Sequence, residues 1–531
     1  MTASSHRSAV AEVPTGELGQ FKNESLTDFS RPENRERQQL ALAAVEKALG
    51  RTYDLVIGGS RLKGPKTFNS TNPARPDQTI GVFQAASREQ AVAAIEAANE
   101  AFNAWSRKPA RERADLIFRA AARLRARRFE LNAWMIFEVG KSWREADGDT
   151  AEAIDFLEFY GRESLRYAAE QPLTRIPGEQ NQLVYIPLGA GVVIPPWNFP
   201  LAIMAGMTTA AVVTGNTVVL KPASDSPAIA AQFFAILEEV GLPAGVVNFV
   251  TGSGAEVGTT LVEHPKTRFV TFTGSKDVGL EINQRAAQPR PGQRWIKRVV
   301  AEMGGKDSIL VDDEADLEAA VTGVVASAFG YQGQKCSACS RAIVVEPVYD
   351  EFLRRLKAKV ETLRVGDPKD PDTDVGPVIN EGAKRKILDY VEVGRAEGKV
   401  IAGGAALDRP GNFVAPTVVA GVAPDARLAQ EEIFGPVLAV IKAPDFDAGL
   451  RIANNTEYGL TGSVYTRNRD KIECAKREFH VGNLYVNRKC TGAMVGVHPF
   501  GGFNMSGTDS KAGGRDYLLL FLQAKATSEA A

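Results

Sequence analysis

Two cysteines three residues apart, Cys336 and Cys339, sit in the run GYQGQKCSACSRA at 330–342. Such a pair can clip a metal, cycle between thiol and disulfide, or supply one nucleophile beside a bystander. Structural zinc needs four ligands, usually two such pairs or one pair with histidines. Cys474 and Cys490 are not paired in sequence, and His6, His264, His480 and His498 lack ligand spacing, so no metal is expected. A thioredoxin-like pair belongs near a strand-helix-strand pattern and opens a helix. Here the pair follows a helical run and precedes a strand-like one. A single nucleophile is the remaining chemistry. Glycines before Cys336 let backbone N–H groups approach a reacting atom, and the adjacent Lys335 favours thiolate. A cysteine nucleophile suits acyl chemistry, which also needs an oxyanion donor, a base and an acceptor for the leaving group or electrons.

Residues for each role occur upstream. Asn198, in PPWNFP, is an amide donor on a proline-flanked turn; the plain alternative is a turn asparagine. Glu302, in AEMGG, offers a general base or a surface carboxylate. Gly274 and Ser275, in FTGS, stand at a strand-to-helix turn, where free N–H groups suit pyrophosphate. The run GSGAEVG, holding Gly254 and Gly258, is a loose form of the dinucleotide fingerprint with G-x-G-x-x-x-G spacing.

These residues need elements to hold them. Apolar residues recur at helical spacing from Ser87 through Trp105, and Ser87 with Gln90 forms a capping box. Further helices are expected through 116–124 and 152–169, with short extended segments over 172–187. From Gly191 short apolar runs at 192–194, 218–220, 246–250 and 269–272 read as buried strands. The helix between the second and third has Ser226 as cap, Pro227 in its first position and Gly241 at its stop. Strand, helix and strand at this spacing imply right-handed crossovers and a parallel, doubly wound sheet. A second α/β unit follows, with strands at 309–311, 342–345, 437–441, 463–465 and 484–486 and helices at 316–330 and 349–363. The strand expected from Tyr517 has no partner nearby in sequence, and such strands often pair with another subunit.

Composition bounds the function. The chain has 531 residues, a net charge of −1 and 44% hydrophobic residues, which calls for more than one core. Near-zero charge leaves no footprint for nucleic acid or an anionic membrane. The most basic stretch, 285–298, holds two prolines and reads as a solvated loop. Four cysteines in so long a chain argue for a reducing compartment. No apolar leader or bilayer-length run is found, because prolines interrupt the run from Val192. A cytoplasmic protein is expected.

The motifs PWNFP, LKP, FTGS, EMGGK, GQKC, EEIFGP and PFGG, in this order and spacing from about Asp54 onward, resemble the aldehyde dehydrogenase superfamily. The resemblance implies an α/β fold: a Rossmann-type NAD-binding domain (40–170 and 190–303), a catalytic domain (304–495) and a β-strand oligomerisation arm (171–189 and 496–531). Residues 1–39 would be a tail lying loosely on the surface. It implies Cys336 as nucleophile, Asn198 with the Cys336 N–H as oxyanion donors, and Glu302 as base. For the cofactor it implies Lys221 on the adenosine ribose, Gly254 and Gly258 in the glycine turn, and Phe272, Gly274 and Ser275 near the pyrophosphate. Glu432 would take the nicotinamide ribose, with Phe434 packing near the nicotinamide, and Pro196 and Trp197 would also touch the cofactor. Many NAD-preferring members carry an acid three residues after the lysine. Here that residue is Ser224, so NAD is favoured and NADP use is left open. A carboxylate there would repel a 2′-phosphate; serine does not.

Four longer runs (FKNESLTDFSRPENR, QPRPGQRWIKRVVAEMGGKDS, GYQGQKCSACSRA and TGAMVGVHPFGGFNMSGTDSKAGG) are similar to one branch of that family. Its free-standing bacterial members oxidise L-glutamate γ-semialdehyde in the second step of proline breakdown. That resemblance implies Lys335, Ser337 and the backbone of Gly492 and Ala493 around the α-carboxylate. It implies Glu145 on the α-ammonium, with Phe199 and Phe500 sandwiching the aliphatic chain. Arg341 would be structural and Cys339 a buried bystander. A homodimer at least, with a hexamer as the larger form, and a transient contact with proline dehydrogenase are the expected partners. Another semialdehyde substrate, or acyl transfer to coenzyme A, is the alternative. Glu302 counts against the coenzyme A form, which needs no water-activating base.

Overall fold

Runs of β-branched residues with no polar alternation become strands buried on both faces, and two seven-stranded sheets are built from them. The computed structural model describes residues 18–530. In the first sheet five strands lie parallel in the order Arg298–Glu302, Phe269–Thr273, Ala190–Ile194, Thr217–Leu220 and Val247–Phe249. The antiparallel hairpin Leu55–Ile57 and Ser60–Leu62 completes one edge. In the second sheet the order is Lys399–Ala402, Thr417–Ala420, Val437–Ala443, Arg341–Val345, Ser308–Val311, Thr461–Tyr465 and Asn483–Val486. All are parallel except the first.

Helices cover the sheets as their apolar stripes require. In Arg88–Trp105, the Ser87 Oγ accepts from Gln90 N at 3.2 Å while the Gln90 side chain accepts from Ser87 N at 3.0 Å. Helix Pro227–Glu239 starts and stops where expected, and Gly241 is left-handed at φ +86. Its cap differs from expectation: the Ser226 side chain makes no capping bond. The buried carboxylate of Glu138, from helix Arg128–Val139, accepts from Ala228 N at 2.6 Å and Ile229 N at 2.8 Å. Its carboxyl, which burial pushes up to about 7, offers two acceptor oxygens to the helix end where a hydroxyl offers one.

Four further expectations are corrected. The helix expected over 152–169 begins earlier, as Trp143–Ala168. Residues 18–39 do not lie loosely: Asn23 Nδ2 donates to Asp155 at 2.8 Å, and Glu24 N and Thr27 N donate to Asp155 and Asp147 at 2.6 and 2.7 Å. Helix Pro32–Glu46 then runs across residue 39; residues 1–17 lie outside those described. Tyr517–Phe521 forms a buried 3₁₀ turn, with Tyr517 stacked on Tyr160 at 5.3 Å, not the start of a strand. The strand is Leu522–Ala530, and its partner is Glu179–Pro187 of the same chain, antiparallel from Leu522 opposite Pro187 to Ala530 opposite Glu179. This ribbon is mostly exposed. Among the described residues no helix is long and apolar enough to cross a membrane.

Candidate active site

In open α/β sheets the loops after the carboxyl ends of the strands form the ligand crevice, and the upstream motifs fall there together. Asn198 follows strand Ala190–Ile194, Lys221 follows Thr217–Leu220, Gly274 follows Phe269–Thr273, and Glu302 closes Arg298–Glu302. The second sheet meets them with its amino ends: Cys336 precedes Arg341–Val345, and Glu432 precedes Val437–Ala443. Hydrogen bonds tie these loops together. Asn198 Nδ2 donates to the Gln334 carbonyl at 3.0 Å, and Gly305 N donates to Glu432 Oε1 at 3.0 Å. Gly305 also has to be glycine, because a Cβ there would overlap the Cys336 carbonyl oxygen.

Cys336 is half-buried. Burial pushes its thiol well above the usual range, and Asp307, Glu432 and Glu302 push it further. This corrects the expectation that Lys335 favours the thiolate. The Lys335 ammonium is engaged instead with Glu145 Oε1, at 2.7 Å. The Cys336 N–H has no acceptor among the described residues, and one N–H of the Asn198 amide stays free beyond its bond to Gln334. Burial pushes the Glu302 carboxyl up to about 7, against bonds from Ser510 Oγ at 2.6 Å, Gly502 N at 3.1 Å and Ser510 N at 3.3 Å. Cys339 is buried, with its thiol donating to the Arg341 carbonyl at 3.4 Å. Arg341 is buried and donates to the carbonyls of Lys306, Ile452 and Ala453, as a structural residue would.

The residues expected to hold the cofactor come from loops of both sheets. Lys221 is buried, which lowers its ammonium to about 8, and its only acceptor among the described residues is the Pro222 carbonyl at 3.4 Å. Its stem passes beside Gly258, where a Cβ would lie 3.8 Å from Cε. Gly254–Gly258 is a single wide helical turn capped by Ser253. Ser224 is exposed. The Phe272 ring lies against Gly274, and Ser275 stands at the cap of helix Lys276–Ala287. Pro196 is buried, and Trp197 meets Phe434 edge to face at 5.5 Å. Phe434 is left-handed at φ 60. A buried, nearly unpartnered ammonium, a helix cap, two carboxylate oxygens at Glu432 and an aromatic edge form a donor set that fits a dinucleotide.

The substrate candidates come from the cysteine loop and from segments far from it in sequence. Burial pushes the Glu145 carboxyl up, but Lys335, Lys141 and Lys489 together hold it below the usual carboxylate range. Ser337 is buried. Gly492 is left-handed at φ 80, and neither its N–H nor that of Ala493 finds an acceptor among the described residues. Phe199 is half-buried, with the Lys141 ammonium 4.0 Å from its ring centroid. Phe500 is half-buried and pairs by backbone with Ala512.

Sequence reasoning missed four neighbours. Lys489 lies beside Gly492, where a Cβ would be 3.4 Å from its ammonium. Ser510 holds Glu302. Lys141 and Asp149 form a fully buried ion pair at 2.9 Å. Lys489 stands two residues before the TGAMVG run and Ser510 lies within the longer run that starts there, so both were within reach of the sequence reading; Lys141 and Asp149 carry no local signal.

The aldehyde dehydrogenase family profile matches residues 61–527, and the chain belongs to that family. Within it the chain is similar to one kind of member. The 1-pyrroline-5-carboxylate dehydrogenase of Geobacillus thermodenitrificans is 59% identical over 509 residues, covering 96% of this chain and 99% of that one. A solved 1-pyrroline-5-carboxylate dehydrogenase from Thermus with bound NAD is 50% identical, with a TM-score of 0.95 over 97% of this chain and 100% of that one. A solved proline utilization A from Bdellovibrio bacteriovorus is 44% identical, with a TM-score of 0.95, and here the match spans 98% of this chain but 54% of the other.

Proposed function

We propose that this chain oxidises L-glutamate γ-semialdehyde, the open form of 1-pyrroline-5-carboxylate, to L-glutamate with NAD, as the second step of proline degradation. The observation that carries the reading is the Lys335–Glu145 pair beside Cys336. A cation and a carboxylate side by side complement a substrate that ends in an α-carboxylate and an α-ammonium. Lys335, Ser337 and the free N–H groups of Gly492 and Ala493 take the carboxylate, with Lys489 adding charge. Glu145 takes the ammonium, and Phe199 and Phe500 flank the chain between them.

In this reading Cys336 Sγ attacks the aldehyde carbon, and its proton passes to Glu302. The Asn198 amide and the Cys336 N–H hold the oxyanion. NAD, when bound, accepts the hydride that leaves the thiohemiacetal carbon, and a thioester on Cys336 remains. Glu302, once it has released the thiol's proton to solvent, takes a proton from water, which attacks the thioester; glutamate departs as Glu302 returns that proton to the leaving thiolate. Lys221, Gly254, Gly258, Phe272, Gly274 and Ser275 would hold the adenosine and pyrophosphate, and Glu432, Pro196, Trp197 and Phe434 the nicotinamide end. The NAD-bound Thermus neighbour supports NAD. Ser224 adds no negative charge against a 2′-phosphate.

The exposed ribbon of Glu179–Pro187 and Leu522–Ala530 supports a homo-oligomer built through the arm, with the domain limits read from the sequence. The longer proline utilization A chain supports a transient handover from a proline dehydrogenase. Four free thiols support a cytoplasmic setting. NAD reduction with L-1-pyrroline-5-carboxylate, succinic semialdehyde and propanal tests the substrate. Strong preference for the first is expected. Turnover of the other two alone would remove the anchor assignments.

A further inference from the structure

We propose that Lys141 is a positioning residue: its ammonium pins the turn that carries Asn198 to the loop that carries Cys336. The inference rests on the reading of those two residues given above. Lys141 and its counter-ion Asp149 are both fully buried, 2.9 Å apart. Burial of such a pair is weak evidence for stability, since apolar side chains of similar volume often do as well. What the pair touches gives it a purpose.

The Lys141–Asp149 contact departs from hydrogen-bond geometry, and the ammonium sits on two aromatic faces. It lies 4.0 Å from the ring centroid of Phe199 and 4.6 Å from that of Tyr331. Phe199 is the residue after Asn198, and Tyr331 stands five residues before Cys336. A cation over a ring is directional, so one charge fixes both rings. Asp149 holds the same turn from behind, where its Oδ1 accepts from Ala202 N at 2.6 Å, at the first residue of helix Ala202–Val213. The nucleophile loop is tied to the segment next to Lys141. Tyr331 Oη donates to the Val139 carbonyl at 2.9 Å, and Gln332 Nε2 donates to the Gly140 carbonyl at 3.1 Å. Tyr331 and Gln332 are both left-handed, at φ 48 and 57, a conformation that needs such holding. The bond from Asn198 to the Gln334 carbonyl closes the triangle. An oxyanion donor has to sit within about 0.2 Å of its best distance to the reacting oxygen, and a shift of about 1 Å costs on the order of a hundredfold in rate.

The test is a double-mutant cycle on the full chain: wild type, Lys141→Met, Asn198→Ala and both together, read by NAD reduction with L-1-pyrroline-5-carboxylate. Lys141→Met is expected to lower kcat about 10- to 100-fold with little change in KM. Asn198→Ala is expected to lower kcat about 10²–10³-fold. With Asn198 already removed, Lys141→Met is expected to cost clearly less than it does in the wild-type background, because one of the two groups it positions is gone. Lys141→Arg, which keeps a charge over the rings, is expected to recover part of the loss. Equal losses in both backgrounds, or a loss confined to KM, overturn the inference while leaving the oxyanion reading intact. An unchanged kcat in Asn198→Ala alone overturns that reading and the inference with it. Circular dichroism and thermal melting verify that each variant folds. Should Lys141→Met fail to fold, Asp149→Asn repeats the cycle, since it removes the counter-ion but keeps an acceptor for Ala202 N.

Discussion

Burial, with Asp307, Glu432 and Glu302 beside it, pushes the Cys336 thiol above its ordinary range, and in the proposed mechanism a base acts before the sulfur does. Glu302, pushed up to about 7, is that base in the proposed mechanism. It works as the carboxylate, so kcat/KM is expected to be low below about pH 6, to rise through about 7 and to level off above. Glu302→Gln is expected to lose that limb together with any burst of NADH, because neither the thiol nor the water then has its base. A flat pH profile in the wild type from 5 to 9 would remove Glu302 from the role. Lys335→Met tests the substrate end. Losing a charged hydrogen-bond partner of this kind costs roughly 1.5–3 kcal/mol, so KM for the pyrroline is expected to rise at least tenfold while propanal turnover stays unchanged. Equal loss on both aldehydes would place Lys335 in the framework of the loop. At this scale the sequence was informative where a motif carries a role on its own, as with Cys336, Asn198 and Glu302. It left the state of the thiol open. The adjacent lysine is visible in the sequence, but Asp307 and Glu432 arrive from 29 residues before and 96 residues after. Lys141 was silent for the same reason, since its partners Phe199 and Tyr331 lie far along the chain.

Between residues and fold stand the elements, and here burial decides what can be read. Thr217–Leu220 and Ser308–Val311 are buried at every position and were legible as apolar runs. Arg298–Glu302, which carries the base, was not, because its flank reads as a basic loop and only its middle is buried. The hairpin Leu55–Ile57 and Ser60–Leu62 escaped because its outer strand is exposed throughout. Capping shows a second limit. Ser226 occupies the cap position by local sequence, yet Glu138 from another helix supplies the bonds. Glu138→Ala is therefore expected to destabilise the chain by about 1–3 kcal/mol, and Ser226→Ala by under about 0.5 kcal/mol. Thermal or urea unfolding of the two variants decides the matter, and the reverse ranking would return the cap to Ser226.

For the whole molecule, both sheets and their order around the crevice follow from the parallel strand pattern, and the family motifs marked where the crevice lies. The ribbon at the chain's end was half legible. An unpaired apolar strand was visible, but its partner, some 340 residues earlier, was not. Each strand of this exposed ribbon has one open edge, and such edges need covering. Removing residues 522–530 is expected to shift light-scattering mass toward the monomer, with the two large sheets unaffected in circular dichroism. An unchanged assembly would move the interface elsewhere.

The most direct measurement of the central claim is the intact mass of the unmodified enzyme, acid-quenched within milliseconds of mixing with NAD and L-1-pyrroline-5-carboxylate. The account predicts a gain equal to one glutamyl acyl group, located by peptide mapping on Cys336 and missing in Cys336→Ala. Turnover with no adduct on Cys336, or an adduct that survives Cys336→Ala, would contradict it.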